Sequence, residues 1–322
     1  MSFKFYLFLI AAFILLALVA VSSGGASISL GDIVKFFTFG ELDETKELIL
    51  TQMRLPRLVL GILIGALLAT SGVVVQSVFL NPLADPYIIG IASAATFGAV
   101  IAYLLGLSDV FYGIFAFLAA SGLSLVIFKL AAHTRSISTL LIVGIAVSSF
   151  LGAFTSFAVY LIGEDSFRIT AWMMGYLGGA NWQKIALLLP PLLFCMAYFY
   201  AKRHELNIIL NGDEEAKSLG LNVEKSKKSL LIASSLIIGF SVAFTGMIGF
   251  VGLIIPHTLR MALHTASNAV LIPASALTGG VFLVFCDVIA KNALSPVEIP
   301  IGVVTSFFGA PFFLYLAFRK HA

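Results

Sequence analysis

Apolar residues run along this chain in long unbroken stretches, and polar residues gather between them. Runs of about 20 apolar residues suit helices that cross a lipid bilayer. They fall at about 5–23, 55–80, 87–107, 110–132, 137–162, 185–203, 229–249, 269–291 and 301–318. A shorter run at about 252–264 brings the number of expected membrane helices to ten. The segment near 168–179 is amphipathic and too short to span. Lipid permits only helices or a closed barrel, and the runs do not alternate as barrel strands do. The expected fold is an all-α integral membrane protein, residues 1–322 forming a single transmembrane domain.

Composition strengthens this reading. Only 11% of the 322 residues are charged, against roughly 25% in soluble domains, and mean hydropathy is +1.06. The first run resembles a signal peptide, with Lys4 before it and small residues from Ser22 to Ala26 after it. Its apolar stretch from Phe5 to Val21 exceeds the usual signal core, so it is read as a retained span. Cys195 and Cys286 lie inside apolar runs and are read as packing residues.

Charge sets an orientation. With the N-terminus cytoplasmic, the inner loops collect Lys129, Arg135, Lys202, Arg203, Lys217, Lys225, Lys227 and Lys228, as lysine and arginine statistics require. The outer loop at about 24–53 carries Asp32, Glu41, Asp43, Glu44 and Glu47. Ten spans, an even number, place both termini on the inner side, and the charges agree. The net charge of +3 is spread over loops and forms no nucleic-acid patch.

No Gly-Lys pair occurs, so the chain has no phosphate-binding loop. It also lacks H-E-x-x-H, Cys/His metal clusters and Gly-x-Ser-x-Gly. No catalytic, cofactor-binding or metal-ligating residues are assigned. ATP with Mg, if used, must bind to another chain.

The most specific feature lies within the hydrophilic segment at about 207–226. Asp213 suits a helix cap, and Glu214 and Glu215 suit the positive end of its dipole. Gly220 can end that turn and Asn222 can start another. Ala216, Leu219 and Leu221 would form a small apolar face. The expected product is a short helix, a glycine turn and a second short helix. By composition alone an ordinary solvated loop accounts for it as well.

Three other blocks stand in order along about 50–318. Arg54-Leu55-Pro56-Arg57 leads through Gly65-Ala66, Ser71-Gly72 and Gln76 to Asn81-Pro82-Leu83-Ala84-Asp85-Pro86. Gly246-Met247-Ile248-Gly249-Phe250-Val251-Gly252 runs on to Pro256-His257 and Arg260. Glu298-Ile299-Pro300-Ile301-Gly302 leads to Gly309-Ala310-Pro311. With the loop at Gly212–Val223, these blocks resemble the permease family for iron-siderophores, haem and vitamin B12 among ATP-binding-cassette importers.

The resemblance implies a type II importer permease, paired with a second permease copy or a related one. It implies two copies of an ATP-binding subunit and an extracytoplasmic substrate-binding protein. The loop holding Gly212, Asp213, Glu214, Glu215, Ala216, Leu219, Gly220 and Leu221 would couple to the ATPase. Arg54, Arg57 and Lys291 would receive glutamates of the binding protein. Ser138, Thr139 and Tyr176 would line or gate the path, and Gly175–Gly179 would correspond to a short external helix. The implied function is import of an iron complex or vitamin B12 by alternating access, driven by the ATPase.

Other readings of the same residues stand at this stage. Arg54, Arg57 and Lys291 are equally readable as helix-end cations that snorkel. The Gly246–Gly252 run suits simple helix packing as well as a broken helix at a cavity. Asp287 sits four residues before Lys291, spacing for a local pair, and Glu298 is read as structural. Leu80, His264–Asn268 and Tyr176 depart from the family's pattern. An ion-gradient-driven secondary transporter is the rival from another class. It would need an ionisable site at mid-membrane, and the early spans hold almost no interior Asp or Glu.

Overall fold

The computed structural model describes residues 2–25, 28–40, 42–87, 90–131 and 137–319. Within them the chain is helical. α1 (Ser2–Ser22) is followed by α2 (Leu30–Phe39), α3 (Glu44–Ile49), α4 (Leu55–Val78), α5 (Ile91–Leu104), α6 (Asp109–Ala131) and α7 (Ile137–Ile162). Then come α8 (Phe167–Met173), α9 (Trp182–Ala201), α10 (Arg203–Ile209) and α11 (Asp213–Ser218). α12 (Val223–Thr245), α13 (Val251–Leu263), α14 (Asn268–Asn292) and α15 (Ile301–Arg319) complete the chain. Among the described residues five helical stretches are long and apolar enough to span, and five shorter apolar ones join them. Each of the ten apolar runs expected from the sequence holds one of these helices.

The second span begins earlier than expected. Helix runs without a break from Glu44 through a π-turn at Leu50–Arg54 into α4, 35 residues to Val78. Pro56 should interrupt this helix, since it has no N–H to give. The π-turn absorbs the defect, with Leu55 N–H donating to Leu50 O. The carbonyl of Thr51, five residues before Pro56, instead accepts the indole N–H of Trp182 at 2.8 Å.

α5 and α13 are shorter than a bilayer. With 14 and 13 residues, they reach only about 20 Å, against about 30 Å of hydrocarbon. The third span was expected from about residue 87. It starts at Ile91 because Pro82 and Pro86 bar helix, and Gly90 enters α5 at φ +81°. The irregular segments before α5 and α13 meet, with Tyr87 Oη donating to Ile248 O at 3.2 Å. Broken helices of this kind need their backbone satisfied by protein. Pro256 leaves the Gly252 carbonyl without its helical donor, and the Gln76 amide supplies one at 3.2 Å and a second to Leu253 O at 3.1 Å. Arg260 donates to Gln76 Oε1 and so holds that amide in place.

Packing repeats with chain direction reversed. α4 lies antiparallel on α14, and α6 lies antiparallel on α12. α13 packs on α4 as α5 packs on α12, and α7 sits on α5 as α15 sits on α13. Residues α4–α7 and α12–α15 therefore form an inverted repeat. The α4–α14 contact is backbone on backbone: a Cβ on Gly65 would overlap the Gly279 carbonyl, and one on Gly279 would overlap that of Gly65. Small residues permit this approach, which is where helix pairs in lipid gain their packing energy.

Candidate coupling loop and opposite-face charge cluster

The hydrophilic segment between α9 and α12 and the first turns of α12 form the more basic face, with six Lys or Arg and five Asp or Glu over residues 202–228. α10 leads through a turn to α11, and Gly212 enters α11 at φ +106°. The cap expected of Asp213 is not formed: Gly212 is the cap residue, and Asp213 is the first helical one. Its carboxylate instead pairs with Lys227 at 2.6 Å. Lys227 is buried and rises from α12, so this pair fixes α11 to a membrane helix. Gly220 ends the turn at φ +82°, with Gly220 N bonded to Lys217 O and Leu221 N to Ala216 O. Asn222 caps the next helix through Lys225 N, at 3.1 Å. That helix is not short: it is α12 itself, 23 residues.

The apolar residues of the loop divide. Ala216 is fully buried and Leu221 packs against the core, whereas Leu219 is 61% exposed. They do not form one face, because the glycine turn points Leu221 inward. Glu214 is exposed with Lys217 at 3.3 Å, and Glu215 accepts from Asn211 Nδ2 at 3.3 Å. The loop thus presents Leu219 and two carboxylates on a mount held from behind.

At the opposite face the three cations singled out from sequence are buried or nearly so. Arg54 is 8% exposed and donates through Nη1 to Val21 O at 2.6 Å and Ser22 O at 2.9 Å. Lys291 Nζ donates to Ala20 O at 3.0 Å. Together they hold three of the carbonyls that the end of α1 leaves without helical donors. Lys291 also meets Asp287 at 3.4 Å, the local pair expected.

Arg57 belongs to a larger cluster. Nη2 lies 2.9 Å from Asp287 Oδ1, and Nε lies 3.0 Å from the same oxygen. Nη1 donates to Glu298 Oε1 at 2.9 Å. The guanidinium also lies 6.0 Å from the Tyr176 ring, within cation–π range. Asp287 and Glu298 were read from sequence as structural, but their bridge to Arg57 spans 230 and 241 residues and no local spacing announces it.

Tyr176 lies in the segment after α8. That helix ends at Met173, since Gly175 adopts φ +87°, so Gly175–Gly179 is a turn and not a short helix. Tyr176 N donates to Thr245 O at 2.8 Å, and the carbonyls of Gly175 and Met174 accept Ile301 N and Gly302 N at 3.1 and 3.0 Å. The ring is half exposed. The segment therefore laces together the ends of α8, α12 and α15 beside the Arg57 cluster. Ser138 and Thr139 fall in α7, but their side chains lie outside the described residues. Among the described residues no group of three His, Cys, Asp or Glu could hold a metal.

A large helical core, an inverted repeat and a mounted loop on one face mark a transport architecture. The FecCD transport family model matches residues 10–319. The chain belongs to the FecCD transport family. A cobalamin import system permease protein, BtuC of Halobacterium salinarum, is 42% identical over 85% of this chain and 74% of its own. A hemin transport system permease protein, HmuU of Yersinia pestis, is 35% identical over 97% and 95%. A solved structure described as an inward-facing conformation of a putative metal-chelate type ABC transporter superposes with TM-score 0.87. It is 30% identical and covers 98% of this chain and 99% of that one. These FecCD relatives are transport permeases, and the all-helical fold is the same.

Proposed function

We propose that this FecCD chain is the membrane-spanning subunit of an ATP-binding-cassette importer. It moves an iron complex, such as a siderophore or haem, or vitamin B12. Two ATP-binding subunits drive it, binding ATP and Mg themselves, and this chain pairs with a second permease copy or a relative. The observation that carries the reading is the mounted loop. Leu219 and Glu214 stand exposed, while Ala216, Leu221 and the Asp213–Lys227 pair hold α11 on α12. An apolar side chain flanked by carboxylates on a short helix fixed from behind is a shape that a partner's groove can take.

On this reading the basic face and both termini are cytoplasmic, in the inner membrane. The Arg57 cluster then faces the binding protein. Arg54, Arg57 and Lys291 supply positive charge there, and Arg57 is the member best placed to exchange partners, because Glu298 is exposed. Ser138, Thr139 and Tyr176 belong to the path, Tyr176 at its outer mouth.

The test is a detergent pull-down of the tagged chain with mass spectrometry of what it retains, comparing wild type with Glu214→Ala, Leu219→Asp. Both positions are exposed, so folding should be unaffected. An ATPase retained by wild type and lost from the variant supports the reading. Equal retention by both would remove the coupling role from this loop, and no ATPase with either would reject the ATP-driven importer.

A further inference from the structure

We propose that Asn207 is a positioning residue that transmits movement of the coupling loop into the α4–α14 pair. The proposal rests on the reading that α11 meets an ATPase, and it assigns the next link inward.

α10 is wedged between α11 and the basic-face ends of α4 and α14. Leu206 and Ile209 anchor it in the core, both with no exposed surface. Its polar side chains reach in two directions. Glu205 accepts from Ser226 of α12 at 2.5 Å. Asn207 Oδ1 accepts from Asn268 N at 2.8 Å and from Asn268 Nδ2 at 3.0 Å. Ser77 Oγ of α4 has one proton, directed to Val73 O at 2.8 Å and shared with Asn268 Oδ1 at 3.2 Å as the longer branch.

Asn268 is the first residue of α14 and is fully buried. The first N–H groups of a helix have no partner within it. Ser267, at the cap position, makes no side-chain bond to them. The cap is supplied from another element, by Asn207. If α10 moves with α11, α14 must follow or leave two buried donors empty, and Ser77 carries α4 along.

Beyond this contact the pair is stiff. Gly65 and Gly279 lock α4 on α14 backbone to backbone. At its far end the pair carries Arg57 and Asp287, bonded to each other and to Glu298. A displacement entering at Asn207 therefore arrives at the outer mouth with little lost in between. Spatial continuity alone does not establish coupling, so the decisive measurement must separate transmission from stability.

The complete complex carries a spin label at Leu294→Cys, a position 62% exposed just past α14, with Cys195 and Cys286 replaced by Ser. Label mobility is read before and after addition of ATP and vanadate, with ATP hydrolysis and melting temperature measured on the same samples. Asn207→Leu keeps the volume and removes the acceptor, and Asn207→Asp restores an acceptor. The expected result is a nucleotide-dependent change in wild type and Asn207→Asp, reduced about fivefold or more in Asn207→Leu, while hydrolysis persists. A full-sized change in Asn207→Leu overturns the proposal. So does a parallel fall of hydrolysis, melting temperature and label response, which is what a merely structural role would give. No response in wild type despite a retained, active ATPase overturns it as well. Loss of the ATPase from wild type would instead overturn the importer reading, and this inference with it.

Discussion

On the basic face Lys217 meets Glu214 at 3.3 Å with side chains 55% and 95% exposed, whereas on the opposite face Arg57 meets Asp287 at 2.9 Å with 13% and 5% exposed. The first pair sits in water, where such contacts contribute about 0.2–1 kcal/mol. The second is largely withdrawn from water and is held by two contacts to Asp287 and one to Glu298. The same two residue classes thus serve different ends. Of the charges on the basic face, Glu214 and Lys217 stay in water where something else can bind them, while Asp213 and Lys227 mount the loop. Those on the opposite face hold the helices together, and a partner can reach them only by exchange.

The largest expected effect comes from breaking the buried cluster. Arg57→Ala would leave Asp287 facing Lys291 alone, with Glu298 released. Losing one member of a buried pair costs about 3–5 kcal/mol, so the purified protein should melt well below wild type. Arg57→Leu with Asp287→Leu should recover only part of the loss, because it removes both charges of this pair but leaves Lys291 buried without its carboxylate. A wild-type melting temperature for Arg57→Ala would erase the contrast between the faces.

A smaller effect is expected where the buried cations meet backbone. Arg54→Met and Lys291→Met each remove donors from the end of α1, at about 1–3 kcal/mol for carbonyls left buried and unpaired. Hydrogen exchange should quicken at the amides of residues 19–22 before it does elsewhere. The two substitutions share one target, so their effects should not add. If exchange in α1 is unchanged in both, these residues do not serve as its cap.

Leu219→Asp should sharpen the comparison from the other side. The side chain is 61% exposed, so stability should stay within about 0.5 kcal/mol. Retention of the ATPase should nevertheless fall. A large drop in melting temperature would mean that Leu219 is part of the fold and not of an interface.

What the sequence revealed follows the same division. The ten helices were legible because a spanning segment must be apolar throughout, whatever it packs against. The loop at Gly212–Val223 was legible because Gly220 and Asn222 act on their own neighbours in the chain. Asp213 misled because its cap role is local, while the structure gives it to Lys227, 14 residues on. Arg54, Arg57 and Lys291 could be placed on the face opposite the loop, but not in their contacts, since Arg57 and Asp287 are 230 residues apart. The continuous helix through Pro56 was hidden for a similar reason: its orphaned carbonyl is satisfied by Trp182, 131 residues away. The inverted repeat left no mark in the pattern, because packing partners, not residue types, are what repeat.

The smallest expected effect concerns pH at the basic face, where Lys202 and Glu205 meet at 2.5 Å. The Glu205 hydrogen bond raises the Lys202 pKa above its ordinary 10.5. For Glu205, burial pushes upward, but hydrogen bonds from Lys202 and Ser226 outweigh it and the pKa falls below 4.5. A depressed carboxylate stabilises the fold above its unfolded value and loses that contribution as pH drops through the folded one. A raised lysine contributes fully below its unfolded value and loses it as pH climbs through the folded one. The pair should therefore help across the middle range and fail at both ends, by about 0.2–1 kcal/mol given its partial exposure. Glu205→Gln should flatten that part of the stability profile below pH 4.5. It should leave the Arg57 cluster untouched, so the Arg57→Ala loss should be the same in either background. If the two losses prove strongly coupled, the two charge networks share energy even without a displacement of α10, and the contrast between the faces fails.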